Sequence, residues 1–238
     1  MLKVRQFREI HTDIVDGVFN KMIHLVSIVN DFDPIDVQHW NGKKLLEEYQ
    51  KAQNVVNVSD RYSSNITIEN TKLSLIDFSR LTFGQFIDLE SLINEGYYLN
   101  LHKIAASVYL QATTETLTES VIEKYEGVNI AYRAKLIDEL PIQQIFGAVK
   151  KYTVFRDNLF KSYELFNDPL SDVNVDELDE EELFEYNAEI KERESQGKNQ
   201  WEKVLNMLAQ NDLTKFETIL NTNLFLCFNQ LSYLKRNS

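Results

Sequence analysis

Few side chains in this sequence could do chemistry at neutral pH, and their spacing matches no familiar kind of site. The four histidines are His11, His24, His39 and His102. None lies three or four residues from another histidine, and no Glu-x-x-His pair occurs, so zincin and di-iron spacings are both missing. We therefore predict surface or helix-packing roles for all four. Carboxylates distant in the sequence could still meet around a metal ion in a helical bundle, which leaves an enzyme as an alternative.

Nucleophile and phosphate-binding signatures are also missing from the sequence. The single cysteine, Cys227, lies in the apolar stretch "NLFLCFNQL", where burial would raise its pKa and make the thiol inert. Neither a Gly-x-Ser-x-Gly elbow nor a Gly-x-Gly-x-x-Gly or Walker A loop occurs. We predict a protein that is not an enzyme, without catalytic residues, cofactor-binding residues or metal ligands.

Charge limits the possible partners. The chain has 25 basic and 37 acidic residues, a formal net charge of −12. Because nucleic-acid binding needs positive charge to displace phosphate counterions, direct DNA or RNA binding is disfavoured, and an anionic membrane surface would repel the chain. No apolar run approaches the roughly 20 residues of a membrane span. The N-terminus lacks the apolar core of a secretory signal, which predicts a soluble product made in the cytoplasm.

The acidic excess has one concentrated segment. Residues 168–185 hold nine acidic side chains and no lysine or arginine. Such a block is typical of a solvated loop or a partner-facing segment. In the second case it would meet a basic patch or mimic a phosphate backbone.

The sequence predicts that most of the chain, including the histidines and the cysteine, lies on helices. Seven glycines and three prolines in 238 residues favour long helices over many strands and turns. We predict a mainly α fold, a multi-helix bundle with amphipathic helices and at most one small β-hairpin. The hairpin is expected between Ile66 and Leu75, where apolar and polar residues alternate on both sides of Asn70-Thr71.

Apolar periodicity and capping residues place the helices. A capping box joins Thr82 to Gln85, and a second one joins Thr214 to Glu217. A polar loop is expected near Thr113–Ser120. The predicted helices span 7–30, 34–52, 83–94, 101–108, 125–139, 141–167, 201–208 and 216–234.

Aromatic side chains cluster on the helix that follows Pro141. Core packing is the first interpretation of the cluster, and docking of another protein is the second, because aromatic residues are favoured at interface centres. The cluster comprises Phe146, Phe155, Phe160, Tyr163 and Phe166.

Composition suggests three regions. We predict an N-terminal helical hairpin and linker over 1–64 and a central helical domain with the short β-hairpin over 65–167. The acidic segment and C-terminal helices then fill 168–238.

Two stretches resemble a family of small helical proteins encoded in the structural-gene clusters of tailed bacteriophages, including myoviruses and crAss-like phages. The first stretch contains "LTFGQFIDLESLI" and "NLHKIAASVYL" and extends to Phe166. The second is "WEKVLNMLAQNDLTKFETILNTNLFLCFNQLSYLK". Family members are labelled tail, baseplate or tape-measure-chaperone-like proteins. The matching positions are Thr82 with Gly84, Leu101 to Ile104, Val108 with Tyr109, Pro141, and Trp201, Leu208, Ala209, Asp212 and Glu217.

The sequence departs from the family pattern at two places. Relatives often have Arg-Pro after the Tyr109 position, whereas Leu110 and Gln111 follow here. The resemblance therefore does not predict the structure of the loop after Tyr109. Relatives often have Gly before the Asp212 position, whereas this chain has Asn211, which tolerates the left-handed conformation. Residues 1–64 and the acidic segment lie outside the resemblance.

The resemblance implies a non-enzymatic virion component, a tail, neck or internal cargo protein that acts through protein–protein contacts in particle assembly. Its partners would be other phage virion proteins of the tail, portal or tape-measure type, with self-association inside the assembly possible. The implied location is the virion. Two alternatives remain open: a tail assembly chaperone that leaves the particle, and an acidic interaction module or DNA mimic that binds a basic host protein.

Overall fold

The computed structural model describes residues 1–115, 120–163 and 200–236, and they are mainly helical, as predicted. The helices are α1 Val4–Thr12, α2 Val18–Asn30, α3 Pro34–Gln38, α4 Gly42–Val56, α5 Phe83–Asn94, α6 Leu101–Val108, α7 Ile130–Asp138, α8 Phe146–Ser162, α9 at 200–209, α10 Phe216–Leu220 and α11 Leu224–Arg236. The strands are β1 Asn65–Ile68, β2 Thr71–Leu75, β3 Tyr109–Glu115 and β4 Ser120–Ile122. The acidic segment 168–185, the helix predicted to continue to residue 167 and Phe166 lie outside the described residues.

The chain divides into two compact units. One contains Met1–Ile76 and Leu92–Tyr152, and the other contains Asp77–Ser91 and Thr153–Ser238. The units interleave along the chain, so their limits do not coincide with the predicted boundaries after residues 64 and 167.

The two helices predicted near the N-terminus are each divided in the structure. Residues 13–17 break the predicted helix 7–30 into α1 and α2, because Asp13 is extended (φ −73°, ψ 131°) and Gly17 has φ of 80° and ψ of 141°, both outside the helical region. Residues 39–41 break the next helix into α3 and α4. Asn41 then caps α4, its Oδ1 accepting the Lys44 amide at 2.9 Å. Asp33 caps α3, since its Oδ1 accepts the Ile35 amide at 2.8 Å.

Helices α2, α3 and α4 form a helical hairpin with a small core of its own. Phe32, two residues after α2, contacts Trp40 at 5.4 Å between ring centroids, just before α4 begins. The end of α2 therefore lies near the start of α4, and the two packed helices run antiparallel. The buried core of the helical hairpin consists of Ile23, Val26, Val37, Leu45 and Ala52.

The predicted β-hairpin is confirmed as β1 and β2, and it belongs to a larger antiparallel sheet in the order β1-β2-β3-β4. Strand β3 begins at Tyr109 and continues into the region predicted as a polar loop. Gln111 faces Leu73, and its amide donates to Glu123 Oε1 at 3.0 Å. A proline at position 111 would lack this donor.

A strap of extended chain, residues 60–63, lies across the start of α8. Gly147 N–H donates to the Arg61 carbonyl at 3.1 Å and Ser63 N–H donates to the Gln144 carbonyl at 2.9 Å. The buried Tyr109 hydroxyl donates to the Ser63 carbonyl at 2.8 Å. Gly147 allows this close approach, because a Cβ there would overlap the Asp60 carbonyl oxygen.

Gly147→Ala is expected to lower the free energy of unfolding by about 1–3 kcal/mol, the usual cost of overpacking a close contact. Gly42→Ala is the matched control, because a Cβ at Gly42 meets nothing within 4 Å and alanine favours a helix by about 1 kcal/mol over glycine. Urea unfolding followed by circular dichroism measures both. Equal stabilities of the two variants would show that the strap does not need Gly147.

The core of the second unit is built from edge-to-face aromatic rings. Phe86 lies 5.1 Å from Trp201 and 5.5 Å from Phe228, with both ring pairs close to perpendicular. Phe160 lies 5.9 Å from Phe86, and Tyr163 lies 5.2 Å from Phe228. The core-packing interpretation is therefore confirmed for these two residues of the predicted aromatic cluster.

The sequence predicts two helix N-caps in this unit, at Thr82 and at Thr214, and one of them is confirmed. Thr82 Oγ1 accepts the Gln85 amide at 3.2 Å at the start of α5, as predicted. At the other site the prediction is wrong, because Asp212 rather than Thr214 supplies the accepting oxygen, taking the Thr214 amide at 3.1 Å. Asn211 has φ of 61°, in the left-handed region that asparagine tolerates.

Three further helix predictions differ at their ends. The helix predicted over 125–139 begins at Ile130, after a 3₁₀ turn at Gly127–Asn129. Pro141 precedes a 3₁₀ turn, Ile142–Gln144, and α8 begins only at Phe146. The predicted helix 216–234 divides into α10 and α11 at residues 221–223.

A buried ion pair joins α5 to α8 within the second unit. Arg156 donates through Nε to Glu90 Oε1 at 2.6 Å and through Nη2 to Oε2 at 2.8 Å. The Glu90 side chain is 3% exposed and that of Arg156 is 25% exposed. Asp157 contacts the same guanidinium at 3.3 Å but is 58% exposed.

Glu90→Gln is expected to destabilise the protein by about 2–4 kcal/mol, because it removes the buried carboxylate that accepts two charge-assisted hydrogen bonds from the Arg156 guanidinium. Asp157→Asn, which removes an exposed carboxylate from the same arginine, should cost less than about 1 kcal/mol. Urea unfolding at pH 7 compares the two variants. Similar losses for both would contradict a special role for the Glu90 pair.

Candidate functional site

The structure brings one polar cluster together in the first unit, where α1, α6 and α7 meet. Arg8 of α1 donates through Nη1 to both Asp138 oxygens, at 2.8 and 2.9 Å, and through Nε to the Leu99 carbonyl at 2.9 Å. His102 of α6 lies beside this pair, with Nε2 4.0 Å from Asp138 Oδ2. The distance exceeds that of a hydrogen bond, so the imidazole faces the carboxylate without being bonded to it.

Burial decides the protonation state of His102. Its side chain is 12% exposed, and its Nδ1 atom is buried without a hydrogen-bond partner among the described residues. Desolvation lowers the pKa of His102 from 6.5 to about 4, opposed by the nearby Asp138 carboxylate and assisted by the positive charges of Arg8 and Lys103. The ring is therefore neutral at pH 7.

The hydrogen bonds of this cluster join helices. A general base must reach the proton it removes, usually through a hydrogen bond of about 2.6–3.2 Å. In the described part of the chain, neither ring nitrogen of His102 is bonded to a hydroxyl or thiol. The bonds that are made link α1 to the end of α7 and to the turn before α6.

An aromatic group lies on the same turn. The His11 ring stacks on Tyr98 at 4.4 Å between centroids and contacts the buried Phe7 at 4.3 Å. Desolvation lowers the pKa of His11 and raises the pKa of the neighbouring Tyr97 to about 12. These rings agree with the predicted helix-packing role of His11.

The remaining candidates from the sequence lie apart from this cluster. His24 Nε2 lies 3.5 Å from Asp13 Oδ2, and His39 is the exposed residue after α3. The predicted burial of Cys227 is confirmed, since it is 4% exposed in α11, and this burial raises the pKa of its thiol to about 11.

Sequence reasoning named His102 but missed Arg8 and Asp138. The two residues are 130 positions apart, and a pair formed by packing distant helices leaves no local pattern. The opposite charges of residues on two predicted helices offered the only signal, and many other pairs in the chain share it.

The largest concentration of exposed apolar side chains lies on the helical hairpin and the residues that lead into it. Seven of the seventeen large hydrophobic side chains that are exposed in the described ranges fall within 42 residues. Val18 is 78% exposed and Ile35 is 64% exposed. The seven are Ile14, Val18, Phe19, Phe32, Ile35, Leu46 and Val55; we call them the hairpin surface.

Comparisons of the chain with protein-family models, with curated proteins and with solved structures find no match. Within residues 1–115, 120–163 and 200–236, no three His, Cys, Asp or Glu side chains are grouped closely enough to hold a metal ion. No helix in that part of the chain is both long and apolar enough to cross a membrane.

The buried His102 predicts a pH dependence of stability. Because the unfolded state binds a proton at His102 near pH 6.5 and the folded state only near pH 4, the unfolded state binds more protons between these values. The free energy of unfolding therefore decreases as the pH falls from 6.5 towards 4, by up to about 1.4 kcal/mol per pH unit and by about 3 kcal/mol in total.

His102→Leu should remove this component, so the difference in unfolding free energy between pH 7.5 and pH 4.5 should be about 2 kcal/mol smaller than in the wild type. His39→Gln serves as the control, because His39 is exposed. Urea unfolding at the two pH values measures the difference. An unchanged pH dependence in His102→Leu would show that His102 titrates normally in the folded protein.

Proposed function

We propose that this protein is a non-enzymatic component of a tailed-phage virion, located in the tail, the neck or the internal cargo, and that it acts through protein–protein contacts during particle assembly. The proposal rests on the resemblance to phage structural proteins and on the hairpin surface.

The hairpin surface is the observation that carries a contact function. The hairpin buries only five residues in its own core, yet the segment from Ile14 to Val55 leaves seven large apolar side chains exposed. Covering apolar area gains about 25 cal/mol per Å². A partner that covers the hairpin surface would recover free energy that the isolated chain leaves unused.

The charge of the chain favours protein as the partner. A net charge of −12 repels phosphate backbones and anionic lipid headgroups, so both would approach against the field of the molecule. Another virion protein has no such restriction. The absence of a hydroxyl or thiol bonded to His102 in the described residues also favours a contact role over catalysis at that cluster.

The direct test is mass spectrometry of purified particles of the phage that encodes this chain. The proposal expects the chain in stoichiometric amounts after the particles are washed and banded. Detection in infected cells but not in particles would contradict a virion component and leave the assembly-chaperone alternative.

A paired variant tests the hairpin surface itself. Val18→Ser with Ile35→Ser should lower the amount of the chain in particles about tenfold or more, because the two substitutions together remove apolar burial worth more than the roughly 1.4 kcal/mol that corresponds to a tenfold change in affinity. Val154→Ser with Leu213→Ser is the matched control, since Val154 and Leu213 are 53% and 71% exposed outside the hairpin.

Circular dichroism should show that both double variants fold like the wild type, because all four side chains are exposed. Wild-type amounts of the Val18/Ile35 variant in particles would refute the hairpin surface as the contact. An equal decrease for both double variants would show a general effect of losing surface apolar groups.

A further inference from the structure

Strand β1 forms an outer edge of the sheet. It covers Asn65–Ile68 and pairs with β2 on one side, in the order β1-β2-β3-β4. Ile66 is buried, whereas the side chains of Asn65 and Thr67 are exposed. The strand therefore directs the side chain of Ile66 to the core and the polar side chains of Asn65 and Thr67 to the surface.

The hydrogen-bond pattern fixes which backbone groups point away from β2. Leu75 N–H donates to the Ser64 carbonyl at 2.8 Å, so residues 64 and 75 form a hydrogen-bonded pair. In an antiparallel ladder such pairs alternate, which assigns Ile66 with Leu73 and Ile68 with Thr71 to the same class. The N–H and C=O groups of the intervening residues, 65 and 67, point outward.

None of the common protections covers these groups in the described part of the chain. Native edge strands are usually protected by lysine, proline, a bulge or a covering element. Residues 65–68 contain no charge and no proline, and their register with β2 is regular. No turn or loop backbone bond within the described residues reaches residues 65 and 67.

We propose that β1 is a self-association edge, at which two copies of this chain pair their β1 strands antiparallel about a two-fold axis through Ile66. In this register Asn65 of one copy faces Thr67 of the other, and the reverse. Both residues direct N–H and C=O outward, so each of the two facing pairs exchanges two hydrogen bonds. The sheet then continues across the axis as eight strands.

The charges flanking β1 favour this orientation. Arg61 precedes the strand and Glu69 follows it, and both are exposed. An antiparallel arrangement brings Glu69 of each copy towards the Arg61 end of the other, whereas a parallel arrangement would bring like charges together. Because the strand is only four residues long, the interface is small and the affinity should be weak. The dimer should therefore form only at high protein concentration.

Amide hydrogen exchange of the full chain, measured by NMR at two protein concentrations, tests the register. At about 20 µM the amides of Asn65 and Thr67 should exchange rapidly, and at about 1 mM both should be protected severalfold, as expected for new interstrand bonds. The amides of Ile66 and Ile68, which face β2, should be protected at both concentrations and provide an internal control. Equal, rapid exchange of Asn65 and Thr67 at both concentrations would overturn the proposal.

Sedimentation equilibrium with Thr67→Pro gives the second test. Proline removes the outward N–H of residue 67 but no bond to β2, and is tolerated at such edge positions. The wild type and Thr67→Ala should move from the monomer mass of 27.9 kDa towards twice that value as concentration rises, while Thr67→Pro stays monomeric. A dimer in Thr67→Pro that matches the wild type would overturn the proposal, and the exchange measurement decides the case if that variant does not fold.

Discussion

The first unit depends on the burial of the apolar residues of one short helix, α6. Leu101, Ile104, Ala105 and Val108 have no exposed surface, and eight residues are too few for a helix to be stable alone in water. Neighbouring elements hold it in place: the buried Arg133 of α7 donates to the Ala106 carbonyl at 2.9 Å. The same helix leads directly into β3, so its packing also fixes where the sheet begins.

The bonds at the two ends of α6 explain the arrangement of the other elements. At its start, Arg8 binds the Leu99 carbonyl and Asp138, which brings α1 and α7 to the same place. At its end, Ile76 N–H donates to the Val108 carbonyl at 3.0 Å and continues the pairing of β2 with β3. The helical hairpin packs around a core of its own, and the hairpin surface remains exposed.

Periodicity predicted the elements whose stability comes from one apolar stripe. The four buried positions of α6 follow the i, i+3, i+4, i+7 spacing that identified it in the sequence. Periodicity could not show breaks made by backbone conformation, such as Gly17 at φ of 80°, because the apolar stripe continues on both sides. It also missed β3, since residues 109–115 become a strand through pairing with β2, a distant partner.

The candidate site was less predictable than the fold, for a related reason. Cys227 could be judged from its immediate neighbours, since an apolar helical stretch buries it. The environment of His102 depends on Arg8 and Asp138, which only tertiary packing brings within reach. The hairpin surface was hidden as well, because apolar residues at helical spacing predict burial and only the structure shows which of them remain exposed.

The central claim is that the hairpin surface is where this protein binds its neighbours, and cross-linking mass spectrometry of intact particles tests it most directly. The hairpin carries four exposed lysines, Lys21, Lys43, Lys44 and Lys51. We expect cross-links from these lysines to another virion protein, more often than from the exposed Lys203 of α9. Cross-links from the hairpin lysines to this chain alone, while Lys203 reaches other virion proteins, would contradict the account.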